Sequence, residues 1–199
     1  MKIIGVTGIS GSGKTTVTRQ LAKLGGFTVE TDPLVHMLMG KGQQAYNEIV
    51  AAFGTGILDE EGAIHRPTLG RLVFEDKEKL ARLEGILHPK VAAETANMIA
   101  EAEKTGEYKF AIIDAPLLIE AGMHKSCDSC WLVTASHETK LARIIARDGI
   151  TRPAAEKRLA SRAGDEALKP HADVIIENNG ETLADLNEKV TAALERVLS

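Results

Sequence analysis

Residues 8–16 read Gly8-Ile9-Ser10-Gly11-Ser12-Gly13-Lys14-Thr15-Thr16 and fit G-x-x-x-x-G-K-[ST], the phosphate-cradling loop of nucleotide-binding proteins. The flanks decide whether the match has meaning. Upstream, Ile3, Ile4 and Val6 form a short apolar run suited to a buried strand. Downstream, Val17, Leu21 and Leu24 recur at helical spacing, and Gly25-Gly26 stops the helix. A loop between a strand and a helix is the context the motif requires. Its glycines let successive N–H groups converge on one anion, and the helix start adds the positive end of its dipole. Lys14 brings a point charge to the β- and γ-phosphates, and the Thr15 hydroxyl is a candidate Mg²⁺ ligand. Gly11, Ser12, Gly13, Lys14, Thr15 and Thr16 form the predicted nucleotide-binding set.

The chain has 199 residues, enough for one domain with room for an insertion. Its hydrophobic and charged contents, 44% and 26%, are ordinary for a globular protein. A net charge of -4 argues against a nucleic-acid binder that relies on bulk positive charge. No apolar run approaches the ~18 residues of a membrane span, and the N-terminus lacks the pattern of a signal peptide. A cytoplasmic enzyme is the expectation. The two cysteines, Cys127 and Cys130, have C-x-x-C spacing, but no second pair completes a tetrahedral zinc site.

Phe27-Thr28-Val29-Glu30 reads as a second strand ending at Thr31-Asp32-Pro33. Asp32 is a plausible helix N-cap. It is also a carboxylate at the carboxyl end of a strand, the edge where open α/β sheets bind ligands. Residues 34–105 show no strand. They read as a helical insertion: a stripe at Ala45, Ile49, Val50 and Phe53, a short helix near Leu69–Phe74, another over Leu80–Leu87, and a longer one opened by Pro89. Phe110–Asp114 is a buried strand ending in an acid, which in phosphate-loop proteins holds Mg²⁺. The plainer reading of Asp114 is a solvated strand end, or a cap for a helix near Pro116. Cys130–Val133 and Asp173–Glu177 are the fourth and fifth strands, and Thr182 with Asp185 is set to cap a terminal helix striped by Leu183, Leu186, Val190, Leu194 and Val197.

Between those strands, residues 139–148 read as a helix with Arg143 and Arg147 four apart. Arg152, Arg158 and Arg162 follow. Five arginines in a short span of an acidic chain suggest a lid, over about 139–171, closing on polyphosphate. Asp148, Glu156, Asp165 and Glu166 could instead pair with them as a solvated helix face.

Together these stretches resemble the dephospho-CoA kinases, phosphate-loop kinases of the nucleoside-monophosphate-kinase type. Beyond the loop, the resemblance rests on Leu83-Glu84-Gly85-Ile86-Leu87-His88-Pro89, Asp114-Ala115-Pro116-Leu117-Leu118-Ile119-Glu120, Ala172-Asp173-Val174-Ile175 and Asn179-Gly180. It implies an α/β fold with a five-stranded parallel sheet and helices on both faces. One kinase domain would comprise a core (1–33, 106–138, 172–199), a substrate-binding insertion (about 34–105) and a lid. It also implies ATP-dependent phosphorylation of the ribose 3′-hydroxyl of dephospho-CoA, the last step of coenzyme A synthesis, by a monomer or weak homo-oligomer with no nucleic-acid or membrane partner. By position, Asp32 matches the acid at the acceptor hydroxyl, Arg143 and Arg147 match lid arginines, and Asn179 falls near the adenine of ATP. His88 would help hold the acceptor. The sequence departs from the family at Glu30, His65 and Arg162. A shikimate, gluconate or nucleoside-monophosphate kinase, a nucleotide-dependent switch, and a CoA-binding protein without catalysis are the competing readings. No Asn-Lys-x-Asp guanine segment supports the switch.

Overall fold

The computed structural model describes residues 1–161, 164–180 and 182–199, and the chain divides into two compact units, 1–29 with 99–199, and 30–98.

The first unit is built on a parallel sheet: β1 (Lys2–Thr7), β2 (Gly26–Glu30), β3 (Phe110–Asp114), β4 (Ser129–Thr134) and β5 (Val174–Glu177), in the order β2-β3-β1-β4-β5. β1 is central, in register with β3 (Ile4 beside Ile112) and with β4 (Val6 beside Trp131). β3 and β4 are buried at every position, which explains their unbroken apolar runs. Alternate residues sort the two faces. Ile4, Val6, Phe110, Ile112, Trp131 and Val133 pack with Val17 and Leu21 of α1 (Lys14–Lys23), and with side chains of the terminal helix. On the opposite face Gly5 meets Leu118 and Cys127, where an added Cβ would stand 2.6 Å from the Leu118 side chain.

Strand β5 starts one residue later than its apolar pattern predicts. Just before it, Asp173 turns its carboxylate to the Cys130 N–H, at 2.7 Å, while its own N–H donates to the Cys130 carbonyl. After β3 the chain makes turns rather than a helix near Pro116, so Asp114 caps nothing.

The second unit carries α2 (Thr31–Leu38), α3 (Gln44–Phe53), α4 (Arg66–Phe74) and most of α5 (Lys77–Thr105). Its own core joins Ala45, Ile49, Ile57, Leu69, Val73 and Leu87. Two expectations are corrected here. Glu30, not Asp32, is the N-cap of α2, and Asp32 lies in the first helical turn, where a carboxylate suits the helix dipole. Pro89 does not open a helix. It sits inside α5, which runs through it. An interior proline forfeits one backbone hydrogen bond and crowds the carbonyl four residues back, at ~3 kcal/mol. The buried stripe Leu87, Val91, Thr95 and Ile99 keeps helical spacing across the proline, and burial of each large apolar side chain offsets that cost by ~1.5–3 kcal/mol.

The remaining helices return to the first unit: α6 (His137–Asp148), α7 (Arg152–Ala160), the short α8 (Asp165–Leu168) and α9 (Leu183–Leu198). Ser136 caps α6 by accepting from the Thr139 N–H, and Thr182 with Asp185 forms a reciprocal capping box on α9. Ala155 and Leu159 of α7 pack on Leu141 and Ile144 of α6, with Ile9 of the glycine-rich loop against the same cluster. Among the described residues no helix is long and apolar enough to cross a membrane.

Candidate active site

The loop of residues 8–13 joins the end of β1 to the start of α1. Two glycines are fixed there by close approach. A Cβ on Gly8 would stand 2.4 Å from the Val133 carbonyl oxygen, and one on Gly11 would stand 2.6 Å from that of Lys140. Both obstacles are backbone, so neither position admits a side chain without moving β4 or α6. The loop ends at Gly13, which caps α1, and the first N–H groups of a helix have no acceptor within it. Ser12 is buried, and its hydroxyl has no hydrogen-bond partner among the described residues.

Three groups close around this loop. The Lys14 ammonium forms a hydrogen-bonded ion pair with Asp114, both side chains being largely buried. Arg143 donates to the carbonyls of Gly11 and Ser12, each at 3.2 Å, and to the Asn178 side-chain oxygen at 3.1 Å. The Asn178 amide donates in turn to the Ser12 carbonyl at 3.0 Å. Arg147 reaches the Ser10 hydroxyl at 3.2 Å while holding Asp148 through two hydrogen bonds. Thr15 and Thr16 are exposed on the first turn of α1, and the Thr15 hydroxyl makes no hydrogen bond among the described residues.

The five arginines therefore divide. Arg143 and Arg147 meet the phosphate loop. Arg152 is occupied at the surface by Glu138 and Glu156, and Arg158 by Asp148. Arg162 lies outside the described residues. Asp165, offered above as an arginine partner, instead accepts from Lys140 at 2.6 Å and from the Thr134 hydroxyl. That Lys140–Asp165 pair is buried directly behind the loop, since Lys140 supplies the carbonyl that crowds Gly11.

Asn179 is exposed, and its side-chain oxygen accepts from the Ser136 N–H at 2.6 Å, tying the end of β5 to the cap of α6. Asp32 and His88 belong to the second unit. Asp32 is exposed and makes no hydrogen bond or ion pair among the described residues, and His88 is half-buried on α5. Asn178 and Lys140 are residues that sequence reasoning missed. A signal existed for each: Asn178 lies two residues past the buried Ile176 on a strand, and Lys140 lies four before the buried Ile144 on a helix.

The cysteines are free and lie outside this constellation. Burial pushes the Cys127 thiol up to about 12, and burial with the nearby Asp173 carboxylate pushes Cys130 up to about 11. Both stay protonated at neutral pH, which argues against thiolate chemistry.

A parallel sheet with a glycine-rich strand-to-helix loop, a loop lysine paired to an acid at the end of β3, and arginines from α6 on that loop define a phosphate-loop nucleotide-dependent kinase. Residues 2–184 match the family model described as dephospho-CoA kinase. The chain is 42% identical to the dephospho-CoA kinase of Fusobacterium nucleatum over 98% of each chain. It is 42% identical to that of Geobacter sulfurreducens over 90% of this chain and 91% of the relative. The solved dephospho-CoA kinase of Campylobacter jejuni superposes with a TM-score of 0.69 at 26% identity, covering 99% of this chain and 98% of the other. The chain belongs to the dephospho-CoA kinase family.

Proposed function

We propose that this enzyme transfers the γ-phosphoryl group of ATP to the ribose 3′-hydroxyl of dephospho-CoA, giving coenzyme A and ADP. The observation that carries the reading is family membership over nearly the whole chain, joined to a loop whose lysine and arginines suit a triphosphate. The shikimate, gluconate and nucleoside-monophosphate kinase readings lose their ground with that membership.

In this mechanism the backbone N–H groups of Gly11, Gly13, Lys14 and Thr15 receive the phosphates, those of Ser12 and Thr16 donating to the Ile9 and Gly13 carbonyls, and Lys14 and Arg147 neutralise charge that spreads over the transferred group. Phosphoryl transfer passes through a loose transition state, so fixed position and charge carry most of the rate. Arg143 holds the loop in shape through the Gly11 and Ser12 carbonyls. Asp32 orients the acceptor hydroxyl and takes its proton. Its exposed, unengaged carboxylate suits that task, as does its place just beyond β2 in the chain. Asn179 contacts the adenine of ATP, and His88 the acceptor.

The residues present fit a hard cation. Thr15 offers a hydroxyl and Asp114 a carboxylate, both oxygen donors. Among the described residues no cluster of three or more His, Cys, Asp or Glu exists, which suits an ion held mainly by phosphate oxygens and water. When bound, Mg²⁺ supplies charge neutralisation at the β- and γ-phosphates. We place the enzyme in the cytoplasm, as a monomer or weak homo-oligomer.

Incubation with ATP, Mg²⁺ and dephospho-CoA, followed by mass detection, tests the reading. Gain of one phosphoryl group on the acceptor is expected. No product, or equal phosphorylation of shikimate or gluconate, overturns it.

A further inference from the structure

Lys140 and Asp165 carry buried charges to which the proposed mechanism gives no task. Taking two ions out of water costs about what their mutual attraction returns, so stability alone does not account for a pair placed here. Asp165 Oδ2 accepts from the Lys140 ammonium at 2.6 Å and from the Thr134 hydroxyl. Its Oδ1 is buried with no partner among the described residues, so those two contacts hold the carboxylate.

Both contacts lead back to the phosphate loop. Thr134 is the last residue of β4, and its carbonyl accepts from the Asn178 N–H at 2.8 Å. The Asn178 side chain joins Arg143 to the Ser12 carbonyl. Arg143 stands three residues past Lys140 on α6. The bonds therefore close a ring that runs from Lys140 through Asp165, Thr134, Asn178 and Arg143, then back along the helix. The ring meets the loop backbone against backbone. A Cβ on Gly11 would stand 2.6 Å from the Lys140 carbonyl oxygen and 2.9 Å from its Cα. Groups packed this closely transmit displacement. Lys140, Arg143 and Arg147 follow at spacings of three and four, so they share one stripe of α6. A shift at Lys140 moves both arginines and presses on Gly11.

We propose that Asp165, acting through Lys140, is a positioning residue for phosphoryl transfer: it sets α6 against the phosphate loop and thereby places Arg147, Arg143 and the Gly11 N–H. The inference rests on the donor and the reaction proposed above. Hydrogen-bonded support of this kind holds reacting groups within the small tolerance that chemistry demands.

The test separates position from stability. Asp165→Asn, Asp165→Glu and the double substitution Lys140→Met/Asp165→Leu are compared with the parent, using ATP·Mg²⁺ and dephospho-CoA below the melting temperature of each protein. Asp165→Asn leaves a buried ammonium unpaired, whereas the double variant removes both charges and should regain stability. Turnover should not return with it. Both should lower kcat about tenfold and leave the KM for dephospho-CoA within about twofold. Asp165→Glu keeps the charge on a longer arm and should fall between Asp165→Asn and the parent. In NMR spectra of the backbone amides, recorded without nucleotide, the Gly11 signal should move in Asp165→Asn and in the double variant. A double variant as active as the parent would show that the pair only stabilises the fold, and the proposal would fall. Unchanged kcat in Asp165→Asn, or a Gly11 signal unmoved in both variants, overturns it as well. A parent protein that forms no coenzyme A overturns the proposed reaction instead, and the Gly11 signal then decides the positioning role by itself.

Discussion

Arg143 reaches two carbonyls of the phosphate loop and the side chain of Asn178, while Arg66 and Arg71 make no hydrogen bond or ion pair among the described residues. The two sets of cations differ in how the protein holds them. Around the loop the cations are held before any ligand arrives: Lys14 by Asp114, Arg143 by three acceptors, Arg147 by Ser10 and Asp148. Side chains so fixed lose little further rotamer freedom when they act. Each free arginine beside α4 carries up to ~2 kcal/mol of it. Chemistry on a transferring phosphoryl group depends on geometry, and small misplacements are costly. Grip on a remote part of a substrate needs complementarity only, and supplies binding energy to the reacting end. The comparison predicts that substitutions around the loop act on turnover and that substitutions beside α4 act on acceptor affinity.

Asp32 is the most direct way to break that division, because it is exposed, unengaged and in the second unit, yet it is proposed to act on the chemical step. Asp32→Asn should lower kcat by ~10²–10⁴-fold while ATP still binds. A variant that raised only the KM for dephospho-CoA would return Asp32 to the binding class. Lys14→Ala should follow, with kcat/KM for ATP down by ~10²–10³-fold. That substitution also removes the ammonium that pairs with the largely buried Asp114, so stability should fall too. Steady-state kinetics with a melting curve reads both, and ATP affinity and turnover equal to the parent's would remove Lys14 from the site.

A smaller effect is expected behind the loop. Asp165→Asn breaks a pair whose side chains are 8% and 11% exposed. It should cost ~3 kcal/mol of stability by leaving the Lys140 charge buried and unpaired. Denaturant unfolding measures it. The double substitution Lys140→Met/Asp165→Leu should recover most of the loss, since replacing both charges removes the desolvation penalty along with the attraction. If the single and double variants are equally unstable, the pair is not what holds α8 to this part of the sheet.

How much of this was legible beforehand depends on the kind of interaction. The loop, the sheet and the capping box are local patterns, each set by residues within a few positions of one another. Asp114 was legible as a strand-end acid, but its pairing with Lys14 spans 100 positions and depends on β1 and β3 being neighbours. Asn178 and Lys140 each sit at the spacing of a buried position on their element, but their partners, the Ser12 carbonyl and the Asp165 carboxylate, are set by the tertiary fold and not by that spacing. Pro89 was misread because a proline's local preference lost to a buried stripe running across it.

The smallest effect sharpens the division among the arginines of 139–171. Arg152 donates to Glu138 and Glu156 at the surface, and solvent and salt screen such pairs. Arg152→Ala should leave turnover and the KM for ATP within about twofold, whereas Arg147→Ala should lower kcat/KM about tenfold. The Glu138 carboxyl supplies a second reading. Its hydrogen bond to Arg152, helped by that group's charge, holds it below the usual carboxylate range. A group with a lowered folded-state pKa contributes stability above its unfolded pKa and loses it as pH falls through the folded value. Arg152→Ala should therefore move the Glu138 titration, followed by NMR, up toward the ordinary range and weaken the protein's pH dependence on the acid side of pH 5. A Glu138 titration unmoved by Arg152→Ala would show that the surface pair does not persist in solution. A tenfold loss of turnover would place Arg152 with Arg147 on the phosphates, and the arginines of this segment would have to be read as one group.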